Sequence, residues 1–182
     1  MATPDFVLEL RKHVGHARLW MPGITAVILR PHNLPEDQTL PTELPEGPLD
    51  PTQWDVLVVR RSDNGKWTPV TGIVDPGEEP AVAGIREALE ETGINVIPQR
   101  LLSTQVVGPV IYANGDDTIY LDLAFSMLVA ESSRNTDPWP ADGENTECAF
   151  VRADQLPPMN ERFTEIVRQA LENQPAARFH SH

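Results

Sequence analysis

The stretch Gly72 to Ile94, GIVDPGEEPAVAGIREALEETGI, decides how this chain is read. Its skeleton, G-x5-E-x7-R-E-A-x-E-E-x-G-I, fixes Gly72, Glu78, Arg86, Glu87, Glu90, Glu91 and Gly93, with Ala88 and Ile94 in two small or apolar slots. At about 6–7% per letter, seven such matches arise by chance about once in 10^8 windows. Asp75-Pro76-Gly77-Glu78 reads as a type II turn, in which Pro presets φ and Gly supplies the positive φ that follows. A helix is then expected from near Pro80, with Gly93 just past its end. On a helical wheel Val82, Ile85 and Leu89 share one side, and Glu87, Glu90 and Glu91 the other. The apolar side is expected to pack and the other to gather carboxylates. Like charges at this spacing repel by a few tenths of a kcal/mol per pair on a free helix, about 0.2–0.5. A hard divalent cation relieves that repulsion, and oxygen-only donors suit Mg2+ or Mn2+ rather than zinc.

These residues match the Nudix box at every fixed position, and the chain resembles a Nudix hydrolase. The resemblance implies an α/β fold, an α/β/α sandwich with a mixed β-sheet in which the box forms a loop, helix and loop. It covers the chain from about Gly23 to Asn173, the box being its specific part. It also implies Mg2+-dependent hydrolysis of a pyrophosphate bond in a nucleoside diphosphate derivative, either ADP-ribose or another nucleoside diphosphate sugar, or a (d)NTP. The Gly72 carbonyl with Glu87, Glu90 and Glu91 is the implied metal set. For the general base the resemblance leaves Glu90 and a later loop glutamate, matched here by Glu144, six residues ahead of Phe150, with Glu147 as rival. Arg86 is expected to pair with Glu78 or Glu90 and to orient a ligand, with Glu78 in support. One departure stands out: Val70 and Thr71 precede the single Gly72 where two adjacent glycines are usual.

Composition narrows the partners. The 182 residues hold 14 Lys and Arg against 27 Asp and Glu, a net charge of −13. That balance argues against nucleic-acid binding, which depends on basic side chains neutralising phosphates. It leaves a small nucleotide bridged by metal as the expected partner. One domain is expected over residues 1–182, with no internal repeat. Met1 to Trp20 lack the basic-then-apolar order of a secretion signal and no apolar run approaches 18 residues, so the expected location is cytoplasmic, without a membrane partner. The lone Cys148, in the β-prone ECAFV, reads as a buried inert thiol.

Elsewhere the pattern supplies a frame. Thr3 to Val14 reads as an amphipathic helix with Phe6, Val7, Leu10 and Val14 on one side, an N-terminal helical extension over residues 1–22 that packs on the core or forms a homodimer. Ile24 to Arg30 reads as a central strand. Pro31 to Pro51 carries six prolines among polar residues and reads as a solvated insertion loop over residues 31–53, in preference to a lid. Trp54 to Arg61 is a strand that turns through Ser62-Asp63-Asn64-Gly65 towards Trp67. Leu101 to Tyr112 and Thr118 to Val129 form a hairpin around Asn114-Gly115, with Asp122 a polar residue on a mostly apolar strand, aimed at the cleft or at solvent. Ala149 to Val151 is a short strand, and Asn160 caps a helix to Asn173 with a Phe163, Ile166, Val167, Ala170, Leu171 stripe. The tail from Gln174 should fray, His180 and His182 with it. Tyr112, Tyr120 and Trp139 are candidates to stack on a base.

A domain that senses a nucleotide without cutting it is the alternative function. The intact glutamates and the lack of a DNA-binding appendage disfavour it. Isopentenyl diphosphate isomerase chemistry needs a catalytic cysteine, for which Cys148 is poorly placed, and messenger RNA decapping is disfavoured by the charge.

Overall fold

The computed structural model describes residues 3–112 and 114–179, so His180 and His182 lie outside the described residues. Helix α1 (Asp5–Val14) leads into strand β1 (Leu19–Pro31), followed by β2 (Trp54–Arg61), β3 (Trp67–Thr68) and β4 (Val70–Ile73). The box helix is α2 (Pro80–Thr92). After it come β5 (Val96–Ile111), β6 (Asp117–Val129), β7 (Asn145–Arg152), α3 (Glu161–Glu172) and β8 (Arg178–Phe179). The strands form one mixed sheet in the order β3-β2-β1-β6-β5-β8, with β4 also paired to β1 and β7 to β2.

Strand β1 is the axis of that sheet because its side chains suit both faces. Ile24 through Leu29 are all buried. Ile24, Ala26 and Ile28 pack with Ala83 and Ala88 of α2, whereas Val27 and Leu29 pack with Ile166, Val167 and Ala170 of α3. A strand with helices on both faces reads as a near-continuous apolar run, and this one does, Thr25 aside. Along one edge β1 runs parallel to β6 from Leu19 to Leu29. Along the other it splits, pairing antiparallel with β4 at Gly23 to Ala26 and with β2 at Leu29 to Pro31. The α/β/α layering matches the expectation.

Three local expectations are corrected and one is refined. In α2 the packing side is the reverse of the one predicted: Val82 is 50% and Leu89 45% exposed, while Ala83, Gly84, Glu87, Ala88, Glu91 and Thr92 are buried. Small side chains carry little hydrophobicity but let a helix approach a sheet closely; a Cβ added at Gly84 would collide with the Met127 side chain. Ile85 alone of the predicted trio packs against the core. In α1, Val7 is buried and Phe6 packs beside Met21 and Ile73, but Leu10 and Val14 are exposed.

The proline-rich segment after β1 is a largely exposed loop without helix or strand, as expected, but it is anchored rather than loose. Leu40 and Leu49 are buried, and the chain is tied along its length. Leu40 N donates to Glu131, Leu44 N to Gln99, and Leu49 N to the Leu171 carbonyl. Asn173 Nδ2 donates to the carbonyls of Pro45 (2.7 Å) and Gly47 (2.6 Å). Prolines remove donors without forbidding order, and neighbours supply the missing bonds. Nor does the tail fray throughout: β8 adds to β5 in parallel at Ser103 and Thr104, and Arg178 pairs with Glu165 and Glu172.

Candidate active site

The site begins at the turn. Gly77 has φ +85° and Glu78 N donates to the Asp75 carbonyl, the type II geometry expected of Asp-Pro-Gly-Glu. Helix α2 then starts with Pro80 in its first turn and stops at Gly93, whose φ of 72° closes it in the left-handed region. Gly72, one strand back, is glycine for a different reason. Its φ is not in the left-handed region, but a Cβ there would lie closer than 3.0 Å to Cγ, Cδ and Oε1 of Glu87. The absent side chain is the room in which that carboxylate sits. The Val70-Thr71 departure leaves the strand intact, since Val70 is buried and Thr71 pairs with Thr25.

Glu87 is only 5% exposed and Glu91 1%. Asn145 Nδ2 donates to Glu91 Oε2 at 3.0 Å, and Glu91 Oε1 is buried without a hydrogen-bond partner among the described residues. Arg86 ties the box together. Its Nε and Nη2 donate to the two oxygens of Glu78 (3.0 and 2.9 Å), and Nη2 donates also to the Ile73 carbonyl. Its Nη1 donates to Glu87 Oε1 (2.9 Å) and Glu90 Oε2 (3.1 Å). Glu78 in turn accepts from Asp75 N, fixing the turn to the helix. Arg86 therefore pairs with both predicted partners and a third.

Burial and charge pull in opposite directions here. Burial pushes the Glu87 carboxyl up to about 7 despite Arg86. Burial, with the Glu87 charge added, pushes Glu91 to about 8. The Arg86 hydrogen bonds hold Glu78 below the ordinary carboxylate range. Two buried carboxyls that resist ionisation, one with an unpartnered oxygen, suit an added divalent cation, because a cation offsets the desolvation cost that raises them. Glu90 is exposed and turned to Arg86, and among the described residues no three candidate ligands already converge.

A cavity of about 720 Å³ opens in front of Gly72. Gly72 and Glu144 line it together, whereas Glu87, Glu90 and Glu91 do not line it. Glu144 immediately precedes β7, its backbone carbonyl accepting from Ser62 N (2.9 Å) and Oγ (2.6 Å). Glu147 does not reach the cavity and pairs with Arg60 at 2.6 Å. Trp67, Tyr112 and Tyr120 line the walls, the two tyrosine hydroxyls 2.6 Å apart. Trp139 instead covers Gly93, where a Cβ would collide with its indole. The cavity does not include the segment between β1 and β2. Cys148 is half-buried, its thiol pushed up to about 12 by burial, which fits an inert role.

Two features escaped the sequence reading. Asn145, which holds Glu91, sits 54 residues from it and carries no local signal. Asp122 is buried at the cavity wall and accepts from Thr25 Oγ1 (2.9 Å) and from Arg162 Nη1 (2.8 Å). The polar residue on β6 was noticed, but the partner Arg162, in the first turn of α3, was not.

Known proteins share this fold. The family model described as NUDIX domain matches residues 48–173, and no curated protein matches the chain. Among solved structures, an ADP-ribose pyrophosphatase from Streptococcus suis is similar at 16% identity, with a TM-score of 0.54 over 87% of this chain and 96% of that one. A UDP-X diphosphatase is similar at 17% identity (TM-score 0.56, 96% and 73% covered). The NUDIX domain of Shewanella oneidensis NrtR, complexed with ADP ribose, is similar at 19% identity (TM-score 0.53, 95% and 99% covered). The chain belongs to the Nudix family.

Proposed function

We propose that this protein hydrolyses a pyrophosphate bond in a nucleoside diphosphate derivative with the help of Mg2+, Mn2+ being able to substitute. The observation that carries the reading is Glu87 lodged in the space left by Gly72, beside a buried Glu91 with an unpartnered oxygen. A diphosphate resists attack because its own charge repels the incoming oxygen. The bound metal would neutralise that charge and lower the pKa of its water. Glu87 and Glu91, with the Gly72 carbonyl and Glu90, would hold it.

The chain's own residues supply the rest. Arg86 fixes the orientation of Glu87 and, through Glu78, locks the turn that carries the Gly72 strand into the helix. Asn145 fixes Glu91. Glu144, which lines the cavity, is the first candidate for the base that takes a proton from the attacking water, and Glu90 is the second. The similar structures include an ADP-ribose pyrophosphatase, a UDP-X diphosphatase and a NUDIX domain complexed with ADP ribose, which favours a nucleoside diphosphate sugar over a (d)NTP. The test is a panel of both substrate kinds with Mg2+, followed by product analysis. Nucleoside monophosphate and a sugar phosphate are expected. Tight nucleotide binding with no turnover in any metal would instead favour a sensing domain.

A further inference from the structure

The cavity runs both ways from Gly72, and its two walls differ. On one side stand Trp67 and Lys66 of the β2–β3 region; on the other, beneath α1 and the start of α3, stand Tyr112, Tyr120, Asp122 and Arg162. Gly72 on β4 and Asp122 on β6 flank β1, in register with Ile24 and Gly23 respectively. Two strand spacings, about 10 Å, therefore separate them across the sheet. A group bound at Arg162 is thus remote from the bond that reacts at Gly72.

The Asp122–Arg162 pair has a specific shape. Asp122 accepts from Thr25 Oγ1 and from Arg162 Nη1, and Gln105 adds a further hydrogen bond. Arg162 is stacked over the Phe163 ring, its guanidinium carbon 4.1 Å from the centroid. Only Nη1 is engaged; among the described residues Nε and Nη2 make no hydrogen bond, in a side chain that lines the cavity. A buried ion pair adds little stability over an apolar pair of the same volume, so fastening α3 to the sheet does not by itself account for it. The balanced charge gives no net attraction for a further phosphate. It offers donors from Arg162 and the tyrosines beside acceptors on Asp122, the complement of vicinal hydroxyls, which both give and take hydrogen bonds.

Building on the reading given under Proposed function, we propose that Arg162, positioned by Asp122 and Thr25, is a specificity-determining residue that binds the hydroxyl-bearing sugar of the substrate half remote from Gly72. Its contribution is to KM and to discrimination; it does not touch the reacting phosphates.

The experiment compares two probes with saturating Mg2+: ADP-ribose and ADP esterified with a short alkyl alcohol, which has the same diphosphate but no sugar hydroxyls. Wild type should prefer the sugar by about 10- to 100-fold in kcat/KM, since a site built for hydroxyls is left with unpaired groups by the alkyl ester. Arg162→Met should raise KM for ADP-ribose by about tenfold or more with kcat within a factor of about two, and erase most of the preference. Arg162→Lys keeps the charge but loses the planar fork and should fall between them. A melting temperature for each variant separates misfolding from lost recognition. If Arg162→Met and Arg162→Lys fold and keep the wild-type preference, the subsite is refuted while the hydrolase stands. If folded variants lose kcat on both probes equally, the pair is structural and the proposal falls. Wild type cleaving neither probe would overturn the sugar subsite, and cleaving nothing in the wider panel would remove the underlying reading as well.

Discussion

Gly72→Ala is the substitution from which most can be learned. Alanine retains the backbone carbonyl and suits the extended φ of β4, so neither the carbonyl ligand nor the backbone conformation is lost. What changes is one methyl group, placed closer than 3.0 Å to Cγ, Cδ and Oε1 of Glu87. Glu87 cannot swing aside freely, because Arg86 Nη1 holds Oε1 at 2.9 Å and the residue is almost fully buried. Overpacking of this kind costs roughly 1–3 kcal/mol. Displacing a catalytic group by about 1 Å can cost about 100-fold in rate. Gly72→Ala is therefore expected to lose about 100-fold in kcat/KM at saturating Mg2+ while melting as one cooperative transition, a few degrees lower. Steady-state kinetics and calorimetry on the same preparation read both. A Gly72→Ala enzyme within twofold of wild type would refute the claim that Glu87 must occupy that space.

Other outcomes follow from the same contacts. Glu87 and Glu91 sit above the ordinary value of 4.5 in the folded chain, so the folded state holds protons that the unfolded chain releases. Metal-free protein should then lose stability as pH rises from about 4.5 through 7 and 8. Thermal melts in EDTA at pH 5.5 and 8.5 will show it, and Glu91→Gln should flatten the dependence while cutting metal-dependent turnover by about 100-fold or more. Arg86→Met removes a partner of Glu78, Glu87 and Glu90 at once, and denaturant titration should show a loss of roughly 2–3 kcal/mol. Leu40→Ala or Leu49→Ala, in the proline-rich segment, should each cost about 2–4 kcal/mol in the same assay. A negligible effect would show that the loop is not anchored through these side chains.

The box was legible because its geometry is local. Asp-Pro-Gly-Glu dictates its turn and Gly93 its stop through φ preferences that no tertiary contact needs to supply. The central strand was legible for a related reason, since a run buried on both faces is almost wholly apolar, with Thr25 its one polar residue between Ile24 and Leu29. The side of α2 that packs was not. A wheel weights Val82 and Leu89 above Ala83 and Ala88, yet close approach to Met127 and β1 selects the small residues and carries Glu87 and Glu91 inward with them. Hence the glutamates were found but their burial, which gives them shifted pKa values, was missed. Arg162 and Asn145 were missed because each acts on a group far away in sequence, Asp122 and Glu91 respectively. The anchoring of the loop between β1 and β2 was missed because its bonds are made by Glu131, Gln99, Leu171 and Asn173, none of them nearby.

The most direct test of the central claim is phosphorus NMR of ADP-ribose incubated with the protein, once with Mg2+ and once with EDTA. The account predicts loss of the diphosphate resonances, with two phosphomonoesters appearing in their place, in the Mg2+ sample alone. Equal cleavage in EDTA, or no cleavage of any nucleoside diphosphate derivative by protein that binds Mg2+, would contradict it.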